Sequence, residues 1–467
     1  SSILDKTDSS VCICCFTTSC NERMCLFASR KAGTLTHLLE FSESASLTTT
    51  GYYADFSRNW YKTDKIDGEG IDDVITCANG GACDGMTSNY GNYDQAFARN
   101  VLHGAAQADV EIKNNNRDYI SKGLQTRFTG DFDAGSITHT LTLGGRIHRD
   151  EEVRQQPVDT WLQGLDGDFD LVQLGQAGRS EKKSRAYSLY ASDNLAFGAW
   201  TIKPGLRYEN YEIDGVKNSE LLPGLGVTYA ASDRWQLLAG VYEGHSPTSS
   251  EDSDPETATN YEAGLRFNDG GLRAEVIGFF SDYDNIVGIC SNAGGAGQES
   301  CEAGDTENGG RAEIKGVEMQ ASYTVAAAAA QFPLGLTYTY TDAKFKTSFV
   351  GSSIWGVVEA GDKLPNLPAH QLALNAGMLL DSGIGSNLRL AYFDDTCASA
   401  ACGELEAIDS YYSLDLSLFY DWQERARFYL NVDNLSDNDG DIIGRQPKAG
   451  ARGQKPRTLL AGVRYRF

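Results

Sequence analysis

The sequence predicts an all-β protein, a transmembrane antiparallel up-and-down β-barrel. Three observations carry this prediction. From Leu35 onward, extended stretches of about ten or more residues alternate apolar with polar side chains. Short turns join these stretches on one side and long polar loops on the other. The chain closes on RTLLAGVRYRF (457–467), where Leu459, Ala461, Val463, Tyr465 and Phe467 share one face. Thr458, Leu460, Gly462, Arg464 and Arg466 share the other face, because strand side chains alternate with period two.

Composition sets the bounds. A chain of 467 residues implies several domains or one large barrel. Its formal net charge of -24 argues against nucleic acid as a partner, which needs a basic footprint. The acidity suits a cation-attracting vestibule, although a solvated acidic surface accounts for most of the carboxylates. The 50 Gly and 23 Tyr suit tight turns and interfacial aromatic belts. Mean hydropathy is -0.36, and the most conspicuous apolar run is VAAAAA at 325–330, so a helical membrane protein is excluded. Alternating strands escape that test. No secretory signal peptide is legible at Ser1.

Residues 1–33 stand apart as a Cys-rich leader, read as disordered or artefactual, with Cys12, Cys14, Cys15, Cys20 and Cys25. A thiolate metal site there lacks a second spaced pair and a nearby His. Residues 34–467 form the barrel domain. In it Tyr261, Ala263, Leu265 and Phe267 oppose Glu262, Gly264 and Arg266, and Val317, Met319, Ala321 and Tyr323 oppose Glu318, Gln320 and Ser322. Leu414, Leu416, Leu418 and Tyr420 oppose Ser413, Asp415, Ser417 and Phe419. So regular a polar face implies a wet interior and argues against a soluble sandwich with a dry core.

The short turns are Phe197-Gly198-Ala199-Trp200, Ala231-Ser232-Asp233-Arg234, Asn268-Asp269-Gly270-Gly271, Asp381-Ser382-Gly383 and Asp421-Trp422-Gln423-Glu424. The long loops are 65–95, 151–183, 248–259, 288–309, 347–366, 396–408 and 437–455. This pattern gives about 17 strands. Three near pairs of cysteines, Cys77 with Cys83, Cys290 with Cys301, and Cys397 with Cys402, each fall in one long loop. They fit disulfides in an oxidising compartment, with zinc as the rival reading.

The order of motifs resembles the barrel domain of TonB-dependent outer-membrane receptors, the ferric-citrate-receptor-like branch above all. The matching stretches are YYADFSRNWYK (52–62), NNRDYISKGLQTRF (115–128), AWTIKPGLRYEN (199–210), LLPGLGVTY (221–229) and GHSP (244–247). NYEAGLRFNDGGLRAEVIGFFSDYDNIVG (260–288), IKGVEMQASY (314–323), LTYTYTDAKF (336–345), LPNLPAHQL (364–372), NVDNLSD (431–437) and the closing strand complete the series. The resemblance implies a barrel of about 22 strands in the outer membrane around an N-terminal plug. It implies uptake of a ferric chelate driven through TonB, ExbB and ExbD. The plug and its TonB box are missing from this sequence, so the barrel is incomplete relative to the family pattern. The expected partners are a ferric chelate, the TonB system through a plug, and outer-membrane lipid, with one monomeric chain per barrel. A passive outer-membrane channel and a surface receptor without transport are the alternatives.

No catalytic constellation is present, so no enzyme, metal site or cofactor is expected. HExxH, GxSxG and P-loop patterns are lacking. The six His, at 37, 103, 139, 148, 245 and 370, form no tight ligand motif. An anionic ferric chelate needs fixed cations, and the guanidinium fork suits carboxylates. The candidates near loop ends are Arg58, Arg117, Arg149, Arg154 and Arg311, each of which could equally close a salt bridge across the wall. The run Glu251-Asp252-Ser253-Asp254 could take Ca²⁺ or lie in a solvated loop. Trp60, Tyr208, Tyr242, Tyr283 and Tyr465 read as membrane-interface anchors.

Overall fold

The computed structural model describes residues 2–14, 25–249, 253–289, 306–350, 355, 357–403, 407–423, 425–443 and 452–465. Eighteen strands belong to the large sheet. The strand beyond the sequence pattern is Ser2–Cys14, which pairs with Cys25–Ser42 from Ser2 opposite His37 to Cys14 opposite Cys25. The strand Cys25–Ser42 runs through the 33/34 boundary read from composition. The chain divides into two compact units.

The first unit comprises Ser1–Phe132, Thr140–Ser192 and Leu206–Leu221. In it Cys25–Ser42 pairs with Ala45–Asn59, and Ala45–Asn59 pairs with Asn116–Ala134, all antiparallel. A second, smaller sheet grows from stretches that alternation alone leaves as loops. Its order is Phe169–Gln173, Val158–Gln163, Ala108–Asn114, Tyr61–Ile66 and Glu69–Gly70. An Asp67-Gly68 turn, with φ of 52° and 86°, closes the tight hairpin between Tyr61–Ile66 and Glu69–Gly70. Positive φ at both positions is what such a turn demands, and Asp and Gly tolerate it.

Two helices, Ile71–Ala78 and Gln95–Leu102, pack on this sheet. Asp94 caps the second by accepting from Phe97 N at 2.8 Å. Ile66, Val74, Cys77, Ala98, Val101, Val110, Ile112 and Trp161 make a dry core, and a Cys77–Cys83 disulfide staples its edge. Two long polar connections thus fold together into a small globular module.

The second unit comprises Asp133–His139, Asp193–Gly205 and Leu222–Phe467. From Trp235–Ser246 onward, ten strands pair in sequence order, each antiparallel to the next, ending with Ala426–Asp433 against Thr458–Tyr465. The short turns are tight. At 269–271 the Asp269 carboxylate accepts from Gly271 N at 3.0 Å and Leu272 N at 2.8 Å, with Gly270 at φ 87°. Long connections carry two-stranded ribbons of their own, such as Thr396–Cys397 against Ala407–Ile408. A Cys397–Cys402 disulfide closes that loop. Cys290, Cys301, Phe467 and the acidic residues Glu251 and Asp252 lie outside the described residues.

The two faces of the strands are inverted relative to a water-soluble sheet. Leu189 is 64% exposed, Leu237 50%, Tyr261 49% and Leu206 47%, while the partner faces carrying Ser188, Gln236, Glu262 and Arg207 are less accessible. An exposed apolar strand face of this kind, present in each unit, marks a membrane-facing surface. Aromatic pairs mark its short-turn edge, with Trp200 and Tyr229 ring centroids 4.5 Å apart and Trp235 and Phe267 4.7 Å apart. Tyr208 and Tyr465 share the apolar face. Tyr242 stands on the polar face, where its hydroxyl donates to Glu262 at 3.3 Å. Tyr283 packs against the loop cluster of Ile286, Phe345 and Trp355. Close cross-strand approach also explains two glycines. Gly123 lies opposite Tyr52 and Gly385 opposite Phe419, and each aromatic ring covers the position a Cβ would take.

Candidate functional site

The polar face of the first unit is built by period-two alternation. Along Ile137–Gln155, Arg146, His148, Asp150, Glu152 and Arg154 follow one another on one side. Ala45–Asn59 adds Tyr52, Phe56 and Arg58, and Asn116–Ala134 adds Arg117 and Tyr119. The register places Arg58 opposite Arg117 and Phe56 opposite Tyr119.

Three of the five arginines singled out from the sequence meet here. Arg58 Nη2 donates to Tyr119 Oη at 2.9 Å, and its guanidinium lies 5.5 Å from the centre of the Tyr119 ring. Arg117 Nη1 donates to Glu152 Oε1 at 3.1 Å, and Arg154 Nη2 donates to Glu152 Oε2 at 2.8 Å. One carboxylate therefore serves two guanidiniums, and among the described residues the third is hydrogen-bonded to a neutral phenol. Arg58, Arg117, Arg154 and Glu152 together sum to two positive charges, and the Asp214 carboxylate also acts on Arg154. The Nε atoms of Arg58, Arg117 and Arg154 are buried without a partner among the described residues. Arg117, Glu152 and Arg154 side chains are only 21%, 18% and 20% exposed, so their charges act in a reduced dielectric.

The outward side of this strand turns charged at Arg149 and Glu151, which puts Glu152 beyond the apolar band. Burial pushes the Glu152 carboxyl up, but hydrogen bonding and charge from Arg154, with the charge of Arg117, outweigh it and hold the group below the usual carboxylate range. Arg154 is raised in turn, chiefly by its hydrogen bond to Glu152.

Beneath this cluster a second polar group continues the wall. Arg146 Nε donates to Tyr52 Oη at 2.9 Å, Tyr52 Oη lies 2.5 Å from His148 Nδ1, and His148 Nε2 lies 2.6 Å from Asp150 Oδ2. Tyr52, Tyr119, Arg146, His148 and Glu152 were not singled out from the sequence. The signal that could have found them is the unbroken every-second-residue polar series in RIHRDEEVR (146–154).

The other two arginines stand elsewhere. Arg149 lies on the opposite side of its strand, between Ile147 and Glu151. Arg311 belongs to the second unit and is paired with Asp282 at 3.0 Å and Asp284 at 2.9 Å. Among the described residues no group of three His, Cys, Asp or Glu is placed to hold a metal ion.

An antiparallel sheet with a lipid-facing apolar side, a polar opposite side and alternating short and long connections defines an outer-membrane β-barrel. The family model for TonB dependent receptor-like β-barrels matches residues 29–435, and the chain belongs to that family. Its barrel is therefore a protein of the Gram-negative outer membrane. The chain is 23% identical over 268 residues to the pesticin receptor of Yersinia enterocolitica, covering 54% of this chain and 36% of that protein. It is 22% identical over 435 residues to the ferrienterobactin receptor of Escherichia coli K12, covering 80% of this chain and 55% of the relative. The fold is similar to that of the ferric-catecholate import receptor Fiu of E. coli K12, with a TM-score of 0.70 at 16% identity over 94% of this chain and 64% of that one. The chain thus spans between about a third and two thirds of the length of these relatives.

Proposed function

We propose that this barrel takes up an anionic ferric chelate, bound on the polar face at Arg58, Arg117 and Arg154. The observation that carries the reading is the gathering of three guanidiniums in a half-buried wall, two on the Glu152 carboxylate and the third on the Tyr119 hydroxyl. A ferric ion held by three catecholates carries three negative charges, and a ferric polycarboxylate is also anionic. Either would find cations that outnumber the carboxylate bonded to them, and guanidinium forks match their oxygens. The relatives whose names state a ferric ligand support the same class. Energy for uptake would come through TonB, ExbB and ExbD acting on a plug. The barrel contributes containment and selectivity and makes or breaks no bond.

The test is tryptophan-fluorescence titration of the protein in detergent with a ferric tris-catecholate. Arg58→Gln with Arg117→Gln should weaken binding at least about tenfold, since each lost charge-assisted contact is worth about 1.5–3 kcal/mol. Unchanged affinity would overturn the assignment. Ion conductance through a barrel that binds no chelate would instead favour a passive channel.

A further inference from the structure

In the first unit the polar group beneath the arginine cluster is a directed chain of hydrogen bonds. Tyr52 belongs to Ala45–Asn59 and His148 to Ile137–Gln155, and Asn116–Ala134 runs between them. The residue of that middle strand opposite Tyr52 is Gly123, and the phenol crosses where its Cβ would stand. Tyr52 thereby reaches two strands over. Its Oη lies 2.9 Å from Arg146 Nε and 2.5 Å from His148 Nδ1, and Arg146 Nη2 lies 3.1 Å from the same Nδ1. His148 Nε2 lies 2.6 Å from Asp150 Oδ2.

These contacts fix the protons. A guanidinium only donates, so Nδ1, facing Arg146 Nη2, is an acceptor. The phenol accepts from Arg146 Nε and gives its own hydrogen to Nδ1, and the Nε2 hydrogen goes to the Asp150 carboxylate. The imidazole in this arrangement is neutral. A second proton lands on Nδ1 and reverses its role. Nδ1 then donates to Tyr52 Oη, the phenol hydrogen turns away from the ring, and Arg146 Nη2, now facing a donor, must leave. One proton therefore adds a positive charge and frees two donors for an anion. On the middle strand the groups flanking Gly123 on its side are Ser121 and Gln125, which do not ionise. On Arg179–Phe197, Ser184 Oγ donates to Asp150 Oδ2 at 3.5 Å, and Lys182 lies beyond it toward the arginine cluster. On Trp200–Ile213, the next strand, Arg207 and Glu209 pair with each other. The ionised groups in contact with His148 are thus Arg146 and Asp150, whose charges sum to zero.

We propose that His148 is a proton-binding site coupled to the chelate. The wall takes up a proton at His148 Nδ1 as the anionic ferric complex binds, and Tyr52 and Arg146 then offer their freed donors beneath it. The inference rests on the assignment of the complex to Arg58, Arg117 and Arg154. Imidazole suits the task because it is the side chain whose ordinary charge change falls between about pH 5 and 8. Glu152 stands four residues beyond His148 on the same face, about 13 Å away at about 3.4 Å per residue. A trianion at that distance, in an effective dielectric of about 20 and with a Debye length of about 8 Å, favours the protonated ring about fourfold. At about 0.01 M salt the factor is about seventyfold. Coupling is reciprocal, so the chelate gains the same factor from the proton.

The experiment is isothermal titration calorimetry of the protein in detergent with a ferric tris-catecholate, between about pH 6 and 8. Buffers of different ionisation enthalpy count the protons taken up per chelate. About a third of a proton is expected at the midpoint at physiological salt, and about 0.8 at about 0.01 M salt. His148→Gln should abolish this uptake. Asp150→Asn should move the midpoint to lower pH and Arg146→Gln to higher pH, opposite shifts that misfolding cannot produce. A neutral ferric tris-hydroxamate should draw no proton. Arginine-dependent binding with no uptake, or uptake that persists in His148→Gln, would overturn the inference alone. Binding unmoved by Arg58→Gln with Arg117→Gln would overturn the assignment beneath it as well.

Discussion

Replacing Glu152 with Gln removes the one carboxylate that Arg117 and Arg154 share, and the sum over Arg58, Arg117, Arg154 and residue 152 goes from two positive charges to three. For a ligand charge about 8 Å away in an effective dielectric of about 20, the added attraction is about 2 kcal/mol. At physiological salt the Debye length is also about 8 Å, which leaves about 0.8 kcal/mol, or about fourfold tighter binding per unit of ligand charge. At 0.01 M salt the screening length rises to about 30 Å and the gain grows to about fifteenfold. The same change should destabilise the protein by about 1–3 kcal/mol, because two half-buried guanidiniums lose a charged acceptor. Glu152 is held below the ordinary carboxylate value of 4.5, so its stabilisation is complete above that pH and is lost as pH falls through its lowered value. The assay is equilibrium titration with a ferric tris-catecholate at both salt concentrations, beside a thermal melt. Tighter binding together with lower stability is expected. Weaker binding, or a change insensitive to salt, would refute the view that Glu152 acts by offsetting the arginines.

Three further outcomes follow from other parts of the fold. Burial pushes the Asp67 carboxyl up, so this group favours the folded module at low pH and loses that contribution as pH rises from its ordinary value of 3.8 through its raised one. Asp67→Asn should therefore stabilise the module at pH 7 but not at pH 3, as read by hydrogen exchange, and Asn also suits the φ of 52° there. Replacing Cys77 and Cys83 by Ser opens a six-residue separation in the module's core and should cost about 2 kcal/mol, seen as faster proteolysis within 67–108 while the barrel strands stay protected. Gly385→Ala would drive a methyl group into the Phe419 ring, which also stacks 4.2 Å beneath the Arg427 guanidinium, and should lower stability by about 1–3 kcal/mol. Adding that change to Phe419→Ala should cost little more than Phe419→Ala alone.

Much of the large sheet was legible because alternation is a direct record of two unlike surroundings. Leu237, Leu265 and Val276 lie side by side in the register, as a common lipid-facing side requires, and Gln236, Arg266 and Glu275 share the other side. The turns at 198–199, 231–234 and 269–271 were legible for the same local reason, since Gly, Asp and Ser carry turn chemistry in their own side chains. The module of 61–114 and 158–173 was not. Its strands are short, its helices have eight residues each, and its core needs Val110 and Ile112 to meet Trp161 across a long separation in sequence. Arg58, Arg117 and Arg154 were singled out by charge and position near loop ends, which does not tell that they lie together. Glu152 and Tyr119 were not, because their roles come from cross-strand register, which one strand's sequence does not contain.

The most direct test compares two ferric complexes of similar size on the intact protein: a tris-catecholate of charge minus three and a neutral tris-hydroxamate. The account predicts that the tris-catecholate binds more tightly, that the preference shrinks as salt rises, and that Arg58→Gln with Arg117→Gln and Arg154→Gln abolishes it. Equal affinity for the two complexes, or a preference that survives loss of all three arginines, would contradict the central claim that this wall selects an anionic chelate.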